Sequence, residues 1–383
     1  MKAAELVRDA DKAAAARDFG QAVSLLEQAT VLSPDDAALW MRLAAIRRGS
    51  GDAASALDAV HKALAITPRD FTALLMRASL LQKLEMPGAG EAWGHALAQK
   101  PLRDLPEQMV PIVKEAEQRY AAWQEEKEAA LKQRMSAAEQ QASDEERRRI
   151  DRFRTNAVRR TRPYHSEPTD FQFPELTERE FHPRRLFPWI EDLEAASAAI
   201  TDELRTVMAA ERAELVPYVQ FEEHVPMDQW RPLNRNPDWT AIHLIQHGQV
   251  NDANARHCPQ TMALLQLLPQ PNIPGASPNA MFSLLAPKTV IPPHVGISNT
   301  RLVCHLPLIV PEGCWFRVGA QTRLWKAGQA FVFDDTMEHE AANPSDELRV
   351  VFIFDVWHPD LSAAERDAAA ALISAGAGAG KGL

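Results

Sequence analysis

The sequence predicts an α+β chain of more than one domain, an N-terminal array of paired helices followed by a C-terminal antiparallel barrel or jelly roll. Two observations carry this. Prolines at 34, 68 and 101 recur at steps of 34 and 33, each closing an Ala-rich helical segment, and a fixed period in this range marks stacked repeats. Residues 280–357 instead break into short apolar runs, MFSLLA, RLVCHLPLIV, CWFRV, TRLW, QAFVF and LRVVFIFDVW, separated by Pro, Gly, Asn and Asp; that punctuation belongs to an antiparallel barrel. The length of 383 residues agrees, because a single core rarely grows past roughly 250 to 300 residues.

Residues 1–112 are read as the repeats. The middle one is clearest: Trp40, Leu43 and Ala44 on a first helix, Ala56, Val60 and Ala63 on a second, and Pro68 at the end. Leu6, Ala10, Ala22, Leu26, Ala29 and Pro34 repeat the pattern before it; Ala78, Ala89, Trp93, Ala96 and Pro101 repeat it after, shifted by one residue. The small residues let two helices approach closely. Residues 3–101 thereby resemble the tetratricopeptide repeat family, and the resemblance implies a scaffold for a protein or peptide partner. The alternative is a hairpin array that packs only against its own neighbouring domain; three repeats give a shallow concave surface.

Residues 113–164 turn to Glu, Lys, Arg, Gln and Ala and end in RRRIDRFRTNAVRRTRP, read as a solvated, charged connecting helix with a basic end. Acids interleaved in EEKEAALKQR and DEERRR break any single-sign stripe, so no nucleic-acid partner is expected. The balance of 42 Lys+Arg against 52 Asp+Glu, net -10, likewise favours neither nucleic acid nor an anionic membrane. Cys258, Cys304 and Cys314 form no CxxC pair and leave an odd count, which suits a reducing compartment. The N-terminus lacks the apolar core of a signal peptide, and no run reaches the roughly 18 apolar residues of a membrane span, so the expectation is a cytoplasmic protein. Residues 363–383 are read as a helical end and an Ala/Gly tail; its GAGAGKGL lacks the spacing and the Ser or Thr of a phosphate loop.

Residues 165–362 are read as the barrel domain, with one helical stretch near 189–212. Three histidines, His294, His305 and His339, fall in its strand-rich part. Alternation along RLVCHLPL puts Arg301, Val303 and His305 on one face, an unusual face for a plain core. Arg349, ten residues after His339, requires an anion if it points inward, and its fork suits a carboxylate. Ser283 on MFSLLA adds a hydroxyl. Two imidazoles for a metal and a carboxylate clamp beside it are one reading; a satisfied structural histidine, and a surface Arg349 paired with Asp346 or Glu347, are the plainer alternatives.

The motifs HVGISNTRLVCHLPL, VPEGCWFRVG and FVFDDTMEHEAANPSDELRVVFIFDVWHP make residues 280–359 resemble the aspartyl/asparaginyl beta-hydroxylase family; a looser likeness runs through residues 238–265. The resemblance implies a double-stranded beta-helix that uses Fe(II), 2-oxoglutarate and O2. It implies His294 and His339 as iron ligands, with Gly296 where related oxygenases carry a carboxylate. Arg349 and Ser283 match residues holding the distal carboxylate of 2-oxoglutarate, His305 one near its other end, and Asp335 an acid that hydrogen-bonds a metal-bound water. Val303 departs from the family, whose animal members have arginine there. The implied function is hydroxylation of an aspartyl or asparaginyl side chain, in a peptide or protein held by the repeats. The alternatives are the same chemistry on a free or carrier-bound amino acid or a lipid acyl chain, and a non-catalytic interaction protein with a metal-binding barrel. Gly296→Asp is expected to be tolerated.

Overall fold

The computed structural model describes residues 2–210, 215–222, 224 and 228–376. The chain divides into a helical unit, Met1–Thr161, and a β unit, Arg162–Leu383. From residue 377 onward the Ala/Gly tail lies outside the described residues, as do residues 211–212 of the expected helical stretch.

The helical unit pairs α1 (Ala3–Ala15) with α2 (Phe19–Leu32), α3 (Ala37–Gly49) with α4 (Ala53–Ile66), and α5 (Phe71–Lys83) with α6 (Ala89–Leu97). These are tetratricopeptide-like repeats in spacing and pairing. The small positions read from the sequence lie where helices meet: Ala22, Ala44, Ala56, Ala63, Ala78 and Ala96 are fully buried. An added methylene there costs about 1 to 3 kcal/mol. Asp18, Asp36, Asp52 and Asp70 each cap the helix that follows, accepting from its first backbone N–H groups and satisfying donors that have no intrahelical partner.

The charged segment is helical and mostly exposed, and it breaks into two helices. It forms α7 (Val110–Gln141) and α8 (Asp144–Ala157). The first half of α7 buries Val113 and Ala116 and seats the rings of Tyr120 and Trp123 where Gly94 and Gly90 of α6 leave room; a Cβ on Gly90 would stand 2.0 Å from the Trp123 ring. A capping box of Ser143 and Glu146 starts α8, which turns back on α7. Its Arg154 is 4 % exposed and pairs with Glu139 and Asp151, with Glu128 at 3.7 Å. Arg154 and Arg160 of the basic end are thus ion-paired with acids of α7.

The β unit contains β1 (Phe181–His182), α9 (Ile190–Ala195), α10 (Ser197–Ala209), β2 (Leu215–Pro217), β3 (Trp239–Gln246), β4 (Gln249–Val250), α11 (Asp252–Ala255) and α12 (Pro259–Leu265). Eight further strands follow: β5 (Ala280–Leu285), β6 (Thr289–His294), β7 (Arg301–Ile309), β8 (Trp315–Val318), β9 (Gln321–Leu324), β10 (Phe331–Phe333), β11 (His339–Asn343) and β12 (Arg349–Trp357); α13 (Ala363–Gly376) closes the described chain. One antiparallel sheet has the order β1-β10-β7-β12-β5-β3-β2, with β4 on β3; the second runs β6-β11-β8-β9. From β5 onward the chain passes repeatedly between the two sheets. Their facing sides share one core, Leu285, Val303, Phe333 and Val351 from the large sheet with Ile291, Phe316, Val318 and Ala341 from the small one. The other side of the large sheet packs Phe282, Leu302, Cys304, Phe352 and Phe354 against Leu193, Ile200 and Leu204 of α9 and α10. Each buried Phe or Leu contributes about 1.5 to 3 kcal/mol. Among the described residues, no helix is long and apolar enough to cross a membrane.

The six runs read as strands all lie on strands. Two strands of the second sheet were not foreseen, β6 and β11, and they carry His294 and His339. TVIPPH holds two prolines and HEAAN little β-forming character. Proline is tolerated because β6 is an edge strand.

Candidate active site

His294 ends β6 and His339 begins β11, and they are register partners, so adjacent backbones bring the imidazoles together at 4.0 Å between ring centroids. Each ring is turned by its own strand: Nδ1 of His294 donates to the Pro292 carbonyl at 2.8 Å and Nδ1 of His339 to the Met337 carbonyl at 3.0 Å. That fixes the tautomer with Nε2 as the lone-pair nitrogen, which is how a metal-binding histidine is prepared. Burial, reinforced by His339, takes His294 down to about 3, and burial takes His339 down to about 4, so both rings are neutral near pH 7. Aromatic rings close around them: Trp230 lies 5.0 Å from His294, and Phe333 and Phe316 lie 5.4 and 5.9 Å from His339.

Register across the large sheet gathers the remaining residues on the same inner side. Ser283 stands opposite Val351 on β12, Leu285 opposite Arg349, and His305 and Val303 of β7 opposite Ile353 and Asp355. Arg349 therefore points inward, 1 % exposed, its guanidinium 4.6 Å from the centre of the Trp325 ring. The surface pairing with Asp346 or Glu347 does not form; Asp346 pairs instead with Lys288. None of the described carboxylates pairs with Arg349, its Nε has no partner, and burial lowers its pKa to about 9. Two more buried nitrogens nearby lack partners, Nδ1 of His305 and Nε1 of Trp325, with ring centroids 6.2 Å apart. Arg349, after burial, is the chief influence holding His305 neutral. Ser283 Oγ accepts from Trp239 Nε1 at 3.1 Å, leaving its own hydroxyl hydrogen to donate. A buried cation among unsatisfied donors is a site shaped for an anion.

Asp335 fills the space left by Gly296. A Cβ at Gly296 would stand 2.3 Å from Asp335 Oδ2, and the Gly296 N–H donates to the Asp335 carbonyl at 2.7 Å. The expectation that Gly296→Asp is tolerated is thereby corrected, since the space beside the backbone already holds a buried carboxylate. Oδ2 pairs with Arg301 at 3.1 Å, whereas Oδ1 is buried without a partner. Burial raises the Asp335 pKa, and Arg301 and His294 oppose that rise. The other aspartate of FDD serves its own loop, where Asp334 accepts from the Thr336 N–H and hydroxyl and burial raises it to about 7.

The residues singled out by sequence, Ser283, His294, His305, Asp335, His339 and Arg349, thus face one interior. Trp325, Trp230, Trp239 and Asp355 had escaped notice. Trp325 ends the run TRLW, read only as a strand, and a tryptophan beside an arginine becomes informative only after folding.

The family model described as Aspartyl/Asparaginyl beta-hydroxylase matches residues 194–359. These residues belong to that family. The hydroxylase-family domain is 39 % identical over 144 residues to human aspartate beta-hydroxylase domain-containing protein 2, covering 36 % of this chain and 39 % of that protein. It is 36 % identical over 136 residues to human aspartyl/asparaginyl beta-hydroxylase, covering 35 % of this chain and 18 % of that protein. It is 32 % identical over 197 residues to the ornithine lipid ester-linked acyl 2-hydroxylase of Rhizobium tropici, covering 51 % of this chain and 66 % of that protein. The chain therefore spans less than half the length of either human relative. Solved structures similar to part of the chain include the Yersinia enterocolitica chaperone SycD, with 16 % identity, 31 % of this chain and 88 % of that chain covered, and a TM-score of 0.28. The repeats stand on the spacing and pairing of their helices.

Proposed function

We propose that the hydroxylase-family domain is an Fe(II)- and 2-oxoglutarate-dependent dioxygenase. The observation that carries this is the pairing of two oriented, neutral imidazoles with a buried arginine that has no anion of its own. The donor set fits: Nε2 of His294 and Nε2 of His339 would hold iron(II), and Arg349 with the Ser283 hydroxyl would receive the far carboxylate of 2-oxoglutarate. His305 and Trp325 offer two further buried donors. Iron(II) with 2-oxoglutarate and O2 supplies decarboxylation of the co-substrate to succinate and transfer of one oxygen atom to an unactivated C–H bond. The chain's own part is to orient and shield. Backbone carbonyls fix the imidazoles, the sheet registers fix the clamp, and the rings of Trp230, Phe316 and Phe333 keep water from the centre.

For the oxygen acceptor, the family supports an aspartyl or asparaginyl side chain, in a peptide or protein held by the repeats. A lipid acyl chain is the second reading, favoured by the acyl hydroxylase relative and by the apolar Val303. Three buried, unpaired cysteines support a reducing, cytoplasmic setting. The test is anaerobic loading with iron(II), admission of oxygen and 2-oxoglutarate, and measurement of succinate. Turnover is expected in the wild type and only background in His294→Ala and His339→Ala. Undiminished turnover in either variant contradicts the iron assignment. Peptide, amino acid and lipid candidates are then compared by mass spectrometry for the gain of one oxygen atom.

A further inference from the structure

Arg301 opens β7 and its side chain is 13 % exposed and ion-paired to one acid, with the charge of a second acting on it. The first is Asp335, with Oδ2 at 3.1 Å. The second is Asp355, whose carboxylate is already fixed by Ser277 Oγ at 2.9 Å, the Asn279 N–H at 2.8 Å and Asn279 Nδ2 at 3.2 Å; its charge acts on Arg301. The guanidinium thus has Asp335 as its ion-pair partner, with the fixed charge of Asp355 acting on it without a direct pair. Asp335 sits against Gly296, two residues along the chain from His294, with Oδ2 where a side chain at position 296 would begin. Its carboxylate occupies the volume from which a His-x-Asp ligand would reach the metal, although it comes from the segment between β10 and β11. Among the described residues, the two histidines are nevertheless not joined by a third His, Cys, Asp or Glu placed to complete a metal site.

We propose that Arg301 is a positioning residue that keeps Asp335 from becoming a third protein ligand at the histidine pair, a statement that rests on the iron reading above. Two consequences follow. An acid neutralised by Arg301 leaves the metal its full double charge for a dianionic co-substrate, and it leaves one more coordination position open. Without the guanidinium, Asp335 would be a buried carboxylate lacking its cation, and the metal would be the nearest replacement.

The test uses cobalt(II) alone as probe on the full chain, without 2-oxoglutarate, reading affinity by titration and coordination by visible absorption. Arg301→Met is expected to bind cobalt(II) about tenfold more tightly or more with an altered spectrum. The double variant Arg301→Met with Asp335→Asn is expected to return to wild-type affinity and spectrum. Wild-type affinity and spectrum in Arg301→Met, or tightening that survives Asp335→Asn, overturns the proposal. Should Arg301→Met not fold, Arg301→Gln removes the charge at similar length, and the same two outcomes decide. If the wild type binds no more cobalt(II) than His294→Ala, the iron reading itself fails, a result separate from an unaltered Arg301 variant.

Discussion

Two arginines are withdrawn from water to almost the same degree, Arg154 in the helical unit at 4 % exposure and Arg349 in the β unit at 1 %, and their surroundings are opposite. Arg154 has Glu139, Asp151 and Glu128 about it. Arg349 has the Trp325 ring at 4.6 Å, and no described carboxylate pairs with it. The first is satisfied by its own chain and locks α8 onto α7. The second is an unpaired buried cation, which a fold retains only where a partner arrives from outside. On the proposed function, burial of charge is structural in one unit and serves a ligand in the other, and the neighbours of each guanidinium separate them.

Replacing each arginine by methionine sharpens that contrast. Arg349→Met is expected to weaken 2-oxoglutarate binding by about 3 kcal/mol, roughly 100-fold, while raising the stability of the unliganded β unit by about 1 to 3 kcal/mol, since an unpaired charge is removed. Calorimetric titration and thermal unfolding read the two effects. Arg154→Met is expected to do the reverse, lowering the stability of the helical unit by about 3 kcal/mol and leaving 2-oxoglutarate affinity unchanged. This lies at the low end for a broken buried pair because the Asp151 side chain is 60 % exposed.

Gly296→Ala probes how tightly the glycine and acid are packed. It is expected to destabilise the β unit by about 1 to 3 kcal/mol in chemical denaturation, because the new methyl meets Asp335. Unchanged stability would mean that the carboxylate moves aside freely.

The smallest contrast is in pH. Burial depresses His182 and His294 to about 3 and His339 to about 4. The unfolded chain then binds protons first as pH falls below the ordinary value of 6.5. These groups therefore leave the β unit at full stability above about pH 6.5. Each histidine costs it up to about 1.4 kcal/mol per pH unit down to about pH 4, and Asp334, raised to about 7, offsets about one histidine's share over the same range. Among its described residues the helical unit buries no histidine and serves as the reference. Hydrogen exchange measured across pH and resolved by unit checks the difference.

The sequence made the repeats legible because their signal is local: a proline period and alanines at helix crossings survive without any tertiary knowledge. The inward face of β7 was legible for the same reason, through simple alternation. The strands bearing His294 and His339 were not, because Pro292 and Pro293 mask an edge strand and HEAAN looks like a loop until β8 and β6 flank it. Nor could spacing show that Asp335 takes up the room beside Gly296, or that Trp325 comes to lie against Arg349, since each meeting depends on chain crossings between the two sheets. In the charged segment 113–164 the helical, mostly exposed character was legible from composition, whereas the pairing of Arg154 and Arg160 with acids of α7 was not, because it depends on α8 turning back.

The most direct test is the melting temperature of the wild type and Arg349→Met, each with iron(II) under anaerobic conditions and with or without saturating 2-oxoglutarate. The wild type is expected to melt lower without the co-substrate and to rise when it is added, whereas Arg349→Met starts higher and gains little. An Arg349→Met protein that starts lower than the wild type, or gains as much from 2-oxoglutarate, would contradict the claim that this buried arginine is held in waiting for an anion.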